Sequence, residues 1–303
     1  MKNLFTLFNA FGFFACLMAP VSLFAQKFPA VVIWSEPGLP AADSPAPTSA
    51  QLSQIFPEAR LVSTDQLASQ LNDPQTRLLI LPQGSVVPES AWSAILDCLH
   101  RGANLLVLGG RPFTRSAYRD TAGWHLRDYS VRFIRPLLID QYQATPGSAG
   151  AEFTPNPEIP LTLPRFSWQQ AFSPIIRLST NDIYNRGGSA GTLDVRLDPL
   201  VWGVTHGRRL SAPLLQIDHL SSGFDGGRWI FLSAELANDF YSSPDSTKLL
   251  RLLADRALEG ALQFSVRPTL PLCLPGEPVE LETIFHSSRK PAAPMSVQVS
   301  VFE

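Results

Sequence analysis

Three short runs constrain the fold of this chain more than anything else in it: Ala30-Val31-Val32-Ile33-Trp34, Leu78-Leu79-Ile80-Leu81 and Asn104-Leu105-Leu106-Val107-Leu108. A strand with water on one face alternates apolar and polar side chains. One that is apolar at nearly every position is covered on both faces, as in a parallel sheet between helices. Helical patterns lie between the runs. Thr48 starts one that continues to Ile55-Phe56 and stops at Pro57, and a short one covers Asp65 to Leu71. In the segment from Pro88 to Arg101, Trp92, Ile95, Leu96 and Leu99 fall at i, i+3, i+4 and i+7, a single stripe, and Gly102 closes it. Arg60-Leu61-Val62 adds a second short strand. Strands and helices alternating at these spacings predict βαβ units: an α/β fold with a doubly wound, mostly parallel sheet.

After Pro112 that rhythm breaks. Residues from about 111 to 209 read as a large irregular insertion, rich in proline and carrying Trp124, Trp168 and Trp202. Strands return at Ala212 to Leu220 and Arg228 to Ala234, on either side of a turn-rich Ser221 to Gly227. Ser243-Pro244-Asp245 opens a helix with proline at its first position, and Gly260 ends it. From Gln263 the texture becomes proline-bounded β, at Gln263 to Val266, Val279 to Phe285 and Ser296 to Phe302. This is the opening of an immunoglobulin-like sandwich, which needs about seven strands. The expected organisation is therefore residues 26–262 as the α/β domain and 263–303 as an incomplete β-sandwich segment.

Residues 1–25 read as a secretory signal peptide: Met1-Lys2, a nearly unbroken apolar run from Leu4 to Val21, then Ala25-Gln26 as the junction. As a membrane anchor the run would reach only the lower end of spanning length, and Pro20 interrupts it. The expected location is outside the cytoplasm, secreted or in the periplasm or cell envelope, after cleavage near Ala25. Removing this segment leaves Cys98 and Cys273, too few for a disulfide framework and read as two separate buried thiols. The 24 Lys+Arg and 26 Asp+Glu are dispersed without a basic block, which argues against a nucleic-acid partner.

Leu78 to Gly84, the following helix, and Asn104 to Gly110 together resemble the core of the class I glutamine-amidotransferase-like superfamily, a flavodoxin-like fold. The segment Gly227 to Leu236 with its closing helix is similar to that fold's last strand and helix. Apart from the insertion, the resemblance covers Phe28 to about Leu262, and it is nearest to the non-catalytic versions attached to carbohydrate-active enzymes, such as β-galactosidase trimerisation domains. It implies that a catalytic member would carry a nucleophilic cysteine at the turn after the strand ending at Leu108, and a His-x-Glu pair on a later loop. This chain has Gly109-Gly110 at the turn and lacks the pair, and Cys98 lies on the preceding helix. Without a nucleophile no covalent intermediate of that type can form.

Other candidates are few. Gly187-Gly188-Ser189-Ala190-Gly191 matches the G-x-S-x-G pattern but lacks the strand before and the helix after that an elbow needs. Asp218-His219 and Glu235, near the ends of neighbouring predicted strands, are acid/base candidates at a sheet edge. Trp124, Trp168 and Trp202 are candidates for stacking on sugar rings, beside the ordinary alternative of core packing. No spacing for a metal or phosphate-bearing cofactor is present, so neither is expected. Two functions follow. One is a non-enzymatic accessory or assembly module at the N-terminus of a secreted, carbohydrate-active multidomain protein, with carbohydrate, downstream domains of the same polypeptide or a second copy of the chain as partners. The other is a glycoside or ester hydrolase whose site is built from the insertion and the late strands.

Overall fold

The computed structural model describes residues 30–146, 151–159, 168–177, 195–221, 223–269 and 279–287. The predicted signal segment, the Gly187 to Gly191 pattern, Cys273 and the predicted strand Ser296 to Phe302 lie outside them.

The chain is mixed α/β. Its main sheet contains β1 (Ala30–Trp34), β2 (Arg60–Val62), β3 (Thr76–Leu81), β5 (Asn104–Leu108), β9 (Ala151–Pro155), β11 (Val195–Thr205), β12 (Arg208–His219) and β13 (Arg228–Leu232). They are ordered β2-β1-β3-β5-β13-β12-β11-β9. The first five run parallel, and β12, β11 and β9 continue the sheet antiparallel.

Alternate side chains of the parallel strands feed two cores. Ile33, Leu78, Ile80, Leu106, Leu108, Ile230 and Leu232 pack with helices α1 (Ser49–Ile55) and α4 (Pro244–Leu258). Val32, Trp34, Leu79, Leu81, Leu105, Val107 and Phe231 pack with α2 (Thr64–Leu71) and α3 (Trp92–His100). Having a core on each face is why these strands are apolar throughout rather than alternating. In α3, Ile95, Cys98 and Leu99 form the buried stripe. Fully burying a side chain of the Ile or Leu kind stabilises by about 1.5–3 kcal/mol, so Ile95 and Leu99 hold this helix down.

Among the described residues of the 111–209 segment, read from the sequence as irregular with room for a small sheet, most lie in strands. The turn after β3 leads into β4 (Val86–Pro88), which pairs with β6 (Arg115–Asp120), and β6 pairs in turn with β7 (Gly123–Leu126). A second small sheet joins β8 (Ile139–Pro146), β10 (Trp168–Ile176) and β14 (Ala234–Leu236). The remaining strands, β9 and β11, extend the main sheet. Proline and broken alternation disguised these strands. Pro199, for example, sits at a register shift of the β11–β12 ladder, where pairing is already irregular and a missing N–H is tolerated.

Past α4, β15 (Leu262–Pro268) and β16 (Leu281–Ser287) form a two-stranded antiparallel ribbon with Phe264 opposite Phe285. Leu262, Phe264, Val266, Leu281 and Phe285 on it are exposed.

Candidate functional site

In an open α/β sheet, ligands and catalytic groups gather beyond the carboxyl ends of the strands. Here that edge has two halves of different character. Over β5 and β13 it is sealed; over β1 and β3 it opens.

The seal begins at the turn after β5. Gly109 and Gly110 both have positive φ, +80° and +66°, a left-handed conformation that suits glycine. Their amides donate to the carbonyls of Leu232 and Ala234, each at 2.8 Å, tying the turn to the adjoining strands. The long loop after β1 crosses above β3 and β5 and lands on this turn. Ser44 is wedged at β14, its Oγ donating to Ala234 O at 3.2 Å and accepting from Leu236 N at 3.0 Å. Asp43 Oδ2 accepts from Ser85 Oγ at 2.7 Å and from Arg111 N at 3.3 Å. Ser85 Oγ accepts in turn from Arg111 N at 2.8 Å.

No room for a side chain remains. A Cβ on Gly109 would stand 2.8 Å from both Cβ and Oγ of Ser44, and one on Gly110 would strike Ser85 Oγ and stand 2.8 Å from Asp43 Cβ. The Arg111 guanidinium lies between the rings of Tyr129 and Phe172, 5.2 and 5.0 Å from their centroids, with Nε 3.5 Å from Asp43 Oδ2. Partial burial, followed by repulsion from Asp43, raises the Glu235 carboxyl above its usual range, and Arg111 partly offsets this.

Asp218 and His219 lie at the other edge of the sheet. They end β12, which runs antiparallel to β13, so Asp218 is opposite Arg228 at the start of β13. Glu235 comes three residues after the end of that strand. Seven residues of extended chain separate Arg228 from Glu235, roughly 20 Å at about 3.3 Å per residue. The expectation that the two strand ends lie together failed because the pairing is antiparallel.

Asp218 is fully buried and its oxygens are occupied by other groups. Arg228 donates to it from Nε at 2.7 Å and Nη2 at 3.2 Å, and Arg196 donates from Nη2 at 2.6 Å. Arg228 also reaches Glu259 at 2.9 Å, and its backbone N–H donates to Asn104 Oδ1. This network joins β11, β12, β13 and α4. His219 is buried against Trp229, with ring centroids 3.8 Å apart, and neither ring nitrogen has a hydrogen-bond partner among the described residues. Burial lowers its pKa to about 3, so it is neutral at pH 7.

The three tryptophans fall on three different sheets: Trp124 on β7, Trp168 on β10 and Trp202 on β11. Arg119 stands over the Trp124 ring at 6.0 Å and Arg209 over the Trp202 ring at 5.1 Å. Cys98 is a buried free thiol on α3, with its pKa raised to about 11 by burial.

The open half escaped the sequence reading. A cleft of about 330 Å³ lies at the carboxyl ends of β1 and β3, where the chain reverses its direction of travel across the sheet. Its lining includes the buried Trp34, Leu52 and Pro82 and, among polar residues, Ser35, Glu36, Ser49 and Gln83. The βαβ pattern in the sequence implies that such a crevice exists, but its position follows from the strand order, which puts the switch point between β1 and β3.

No family model matches the chain, and no curated protein sequence does. Among solved structures it is similar to Gan42B, a GH42 beta-galactosidase from G. stearothermophilus, at 12% identity and TM-score 0.43, over 79% of this chain and 31% of that one. A beta-galactosidase from the haloarchaeon Halorubrum lacusprofundi is similar at 14% identity and TM-score 0.41, over 76% and 30%. A ThuA-like protein from Bacteroides uniformis is similar at 13% identity and TM-score 0.41, over 76% of this chain and 91% of that one. The chain thus spans about a third of the length of the beta-galactosidases it resembles.

Proposed function

We propose that this chain is a non-catalytic accessory or assembly module of an exported, carbohydrate-active multidomain protein, built on a doubly wound sheet and followed by the start of an immunoglobulin-like segment. The observation that carries the reading is the filled turn at Gly109-Gly110. A nucleophile there would need a side chain, and Ser44, Asp43 and Ser85 occupy that space. The buried Cys98 thiol is on a helix, not at this turn, and burial disfavours its reactive thiolate. Asp218 is bound by two arginines and lies far from Glu235, so these residues support a structural network rather than an acid/base pair. The exposed apolar residues of β15 and β16 favour a neighbouring domain of the same polypeptide as partner. Export follows from the apolar leader, and the carbohydrate context from the family resemblance.

The experiment is ammonia release from glutamine by purified residues 26–303, together with N-terminal sequencing of protein recovered from outside the cytoplasm. The expected results are no release above a heat-killed control and a sequence starting at or near Gln26. Release abolished by a thiol reagent would overturn the non-catalytic reading. Uncleaved Met1 protein in the cytosol would overturn export.

A further inference from the structure

We infer that the corner formed by His219, the turn at residues 223–227 and Ala261 is an acid-sensitive latch. Closed, it ties the junction between α4 and the β15–β16 ribbon to the main sheet. Protonation of His219 opens it.

The latch is a short series of backbone hydrogen bonds. His219 N donates to Gly227 O at 2.9 Å, and Gly226 N donates to His219 O at 3.0 Å. Gly226 O accepts in turn from Ala261 N at 3.0 Å, one residue before β15 begins. The next carbonyl, Leu262 O, accepts from Arg196 Nη1 at 3.2 Å. The base of the ribbon is thus held at two points, and one of them is the turn. That turn contains Gly223 and Gly226 at φ +90° and +86° and exposes Gly223 and Asp225. A segment so small and exposed opens at less cost than the strands it joins.

What keeps the turn down is Phe224, its buried side chain. The ring lies edge-on to His219 at 5.2 Å and stacks on His100 at 4.3 Å. Beneath it His219 is 1% exposed, with Trp229 on its other side. Neither imidazole nitrogen, nor the indole N–H of Trp229, has a hydrogen-bond partner among the described residues. This surround suits a neutral ring and gives a charged one nothing to bind, and a buried charge without a partner is costly. His219 can take up a proton only when Phe224 lifts, and once charged it opposes the return of Phe224.

The charged groups nearby serve other partners. Asp218, the neighbour on β12, is held by Arg228 and Arg196. Asp225 in the turn accepts from Gly223 N at 3.2 Å. On α4, Glu259 binds Arg228 and Arg256 binds Gln216. Opposite His219 on β11 stands Val195. His100, at the end of α3, lies 2.7 Å from Gly223 O through Nδ1, so that nitrogen carries a hydrogen whether or not the ring is charged, and acid leaves this bond in place. Burial alone holds the His219 pKa at about 3, against about 6.5 for an exposed histidine. The latch is therefore at full strength above about pH 6.5 and weakens as the pH falls. Its opening is favoured about thirtyfold more at pH 5 than at pH 7.5.

The test is hydrogen–deuterium exchange of residues 26–303 at about pH 7.5 and pH 5, corrected for the intrinsic exchange rate at each pH. The expected result is that opening of the Gly226, Gly227 and Ala261 amides rises together by about thirtyfold, while the amides of Leu79 and Ile80 in β3 stay more protected at both pH values. His219→Phe fills the same space without a titrating group and should cut the rise to below about threefold. His219→Gln, polar but without a titrating group, should lose the pH dependence as well, so the outcome does not hang on one variant's folding. His100→Gln should keep the rise. No rise in the parent, a rise that survives both His219 variants, a rise abolished by His100→Gln, or turn amides that open only together with β3 would overturn the latch.

Discussion

Replacing Gly110 by alanine tests the seal over β5 through its energy. Two effects act at this position. The backbone is left-handed at φ +66°, which costs about 1–2 kcal/mol for a residue with a Cβ. The new methyl also strikes Ser85 Oγ and stands 2.8 Å from Asp43 Cβ. Pushing those groups aside carries an overpacking cost of about 1–3 kcal/mol. It also strains the Ser85–Asp43–Arg111 hydrogen bonds, one of which involves a carboxylate and is worth about 1.5–3 kcal/mol. Strained rather than broken, these bonds add about 1 kcal/mol, which brings the sum to about 3–6 kcal/mol. Gly207→Ala is the control, since Gly207 has φ +74° and a methyl added there meets nothing within 4 Å, so only the backbone effect of about 1–2 kcal/mol applies. Urea unfolding of both variants should show an excess for Gly110→Ala of about 2–4 kcal/mol. At about 2–4 °C per kcal/mol for a chain of this size, that is a melting-temperature gap of roughly 4–16 °C. Removing the struck oxygen should recover part of it. In a Ser85→Ala background, Gly110→Ala should be milder by about 1 kcal/mol, a coupling expected of groups in contact. If the two glycine variants agree within about 0.5 kcal/mol, the turn is not packed as described and the reasoning fails.

Other consequences follow from the opposite edge and from α3. Asp218→Asn leaves the buried Arg228 without its main partner and should destabilise by about 3–5 kcal/mol, whereas Arg196→Gln, at the exposed end of the same network, should cost under about 1 kcal/mol; denaturant midpoints compare them. His219 has a folded pKa of about 3 against about 6.5 unfolded, so the unfolded chain binds the extra proton first. Its contribution is therefore intact above about pH 6.5 and is lost as pH falls toward 3, with a slope of at most about 1.4 kcal/mol per pH unit. Urea midpoints of His219→Phe should fall less steeply than the parent's between about pH 7 and pH 5, and equal slopes would contradict the burial. In residues 26–303 carrying Cys273→Ser, Cys98 should resist an aromatic disulfide reagent when native and react fully in urea, and rapid native reaction would contradict its burial and raised pKa.

The parallel half of the sheet was legible in the sequence because two-sided burial leaves an unbroken apolar signature, as in Leu78 to Leu81 and Asn104 to Leu108. Helix α3 was legible because its stripe recurs at helical spacing and Gly102 ends it. Its first turn, Glu89–Ala91, is 3-10 rather than α, a boundary detail that periodicity does not carry. The strands between 111 and 209 were hidden by proline and by register shifts, which break alternation without ending a ladder. At the turn after β5 the glycine pair was readable in the sequence, but what fills the space around it was not. Asp43 and Ser44 lie in a loop whose composition signals only a turn, and they act on residues up to 192 positions away. Asp218, His219 and Glu235 looked adjacent because strand pairing direction is a tertiary property. A sequence shows strand ends without showing which edge of the sheet they occupy.

If the carboxyl edge over β5 and β13 holds no reactive nucleophile, as proposed, covalent reagents should find nothing to label there. Residues 26–303 are incubated with a glutamine-analogue diazoketone and, separately, with a fluorophosphonate, and the intact mass is measured before and after. No adduct with either reagent is expected on the folded chain. A one-to-one adduct that requires the folded state and maps to Ser44, Ser85 or Ser233, beside the Gly109-Gly110 turn, would contradict that proposal.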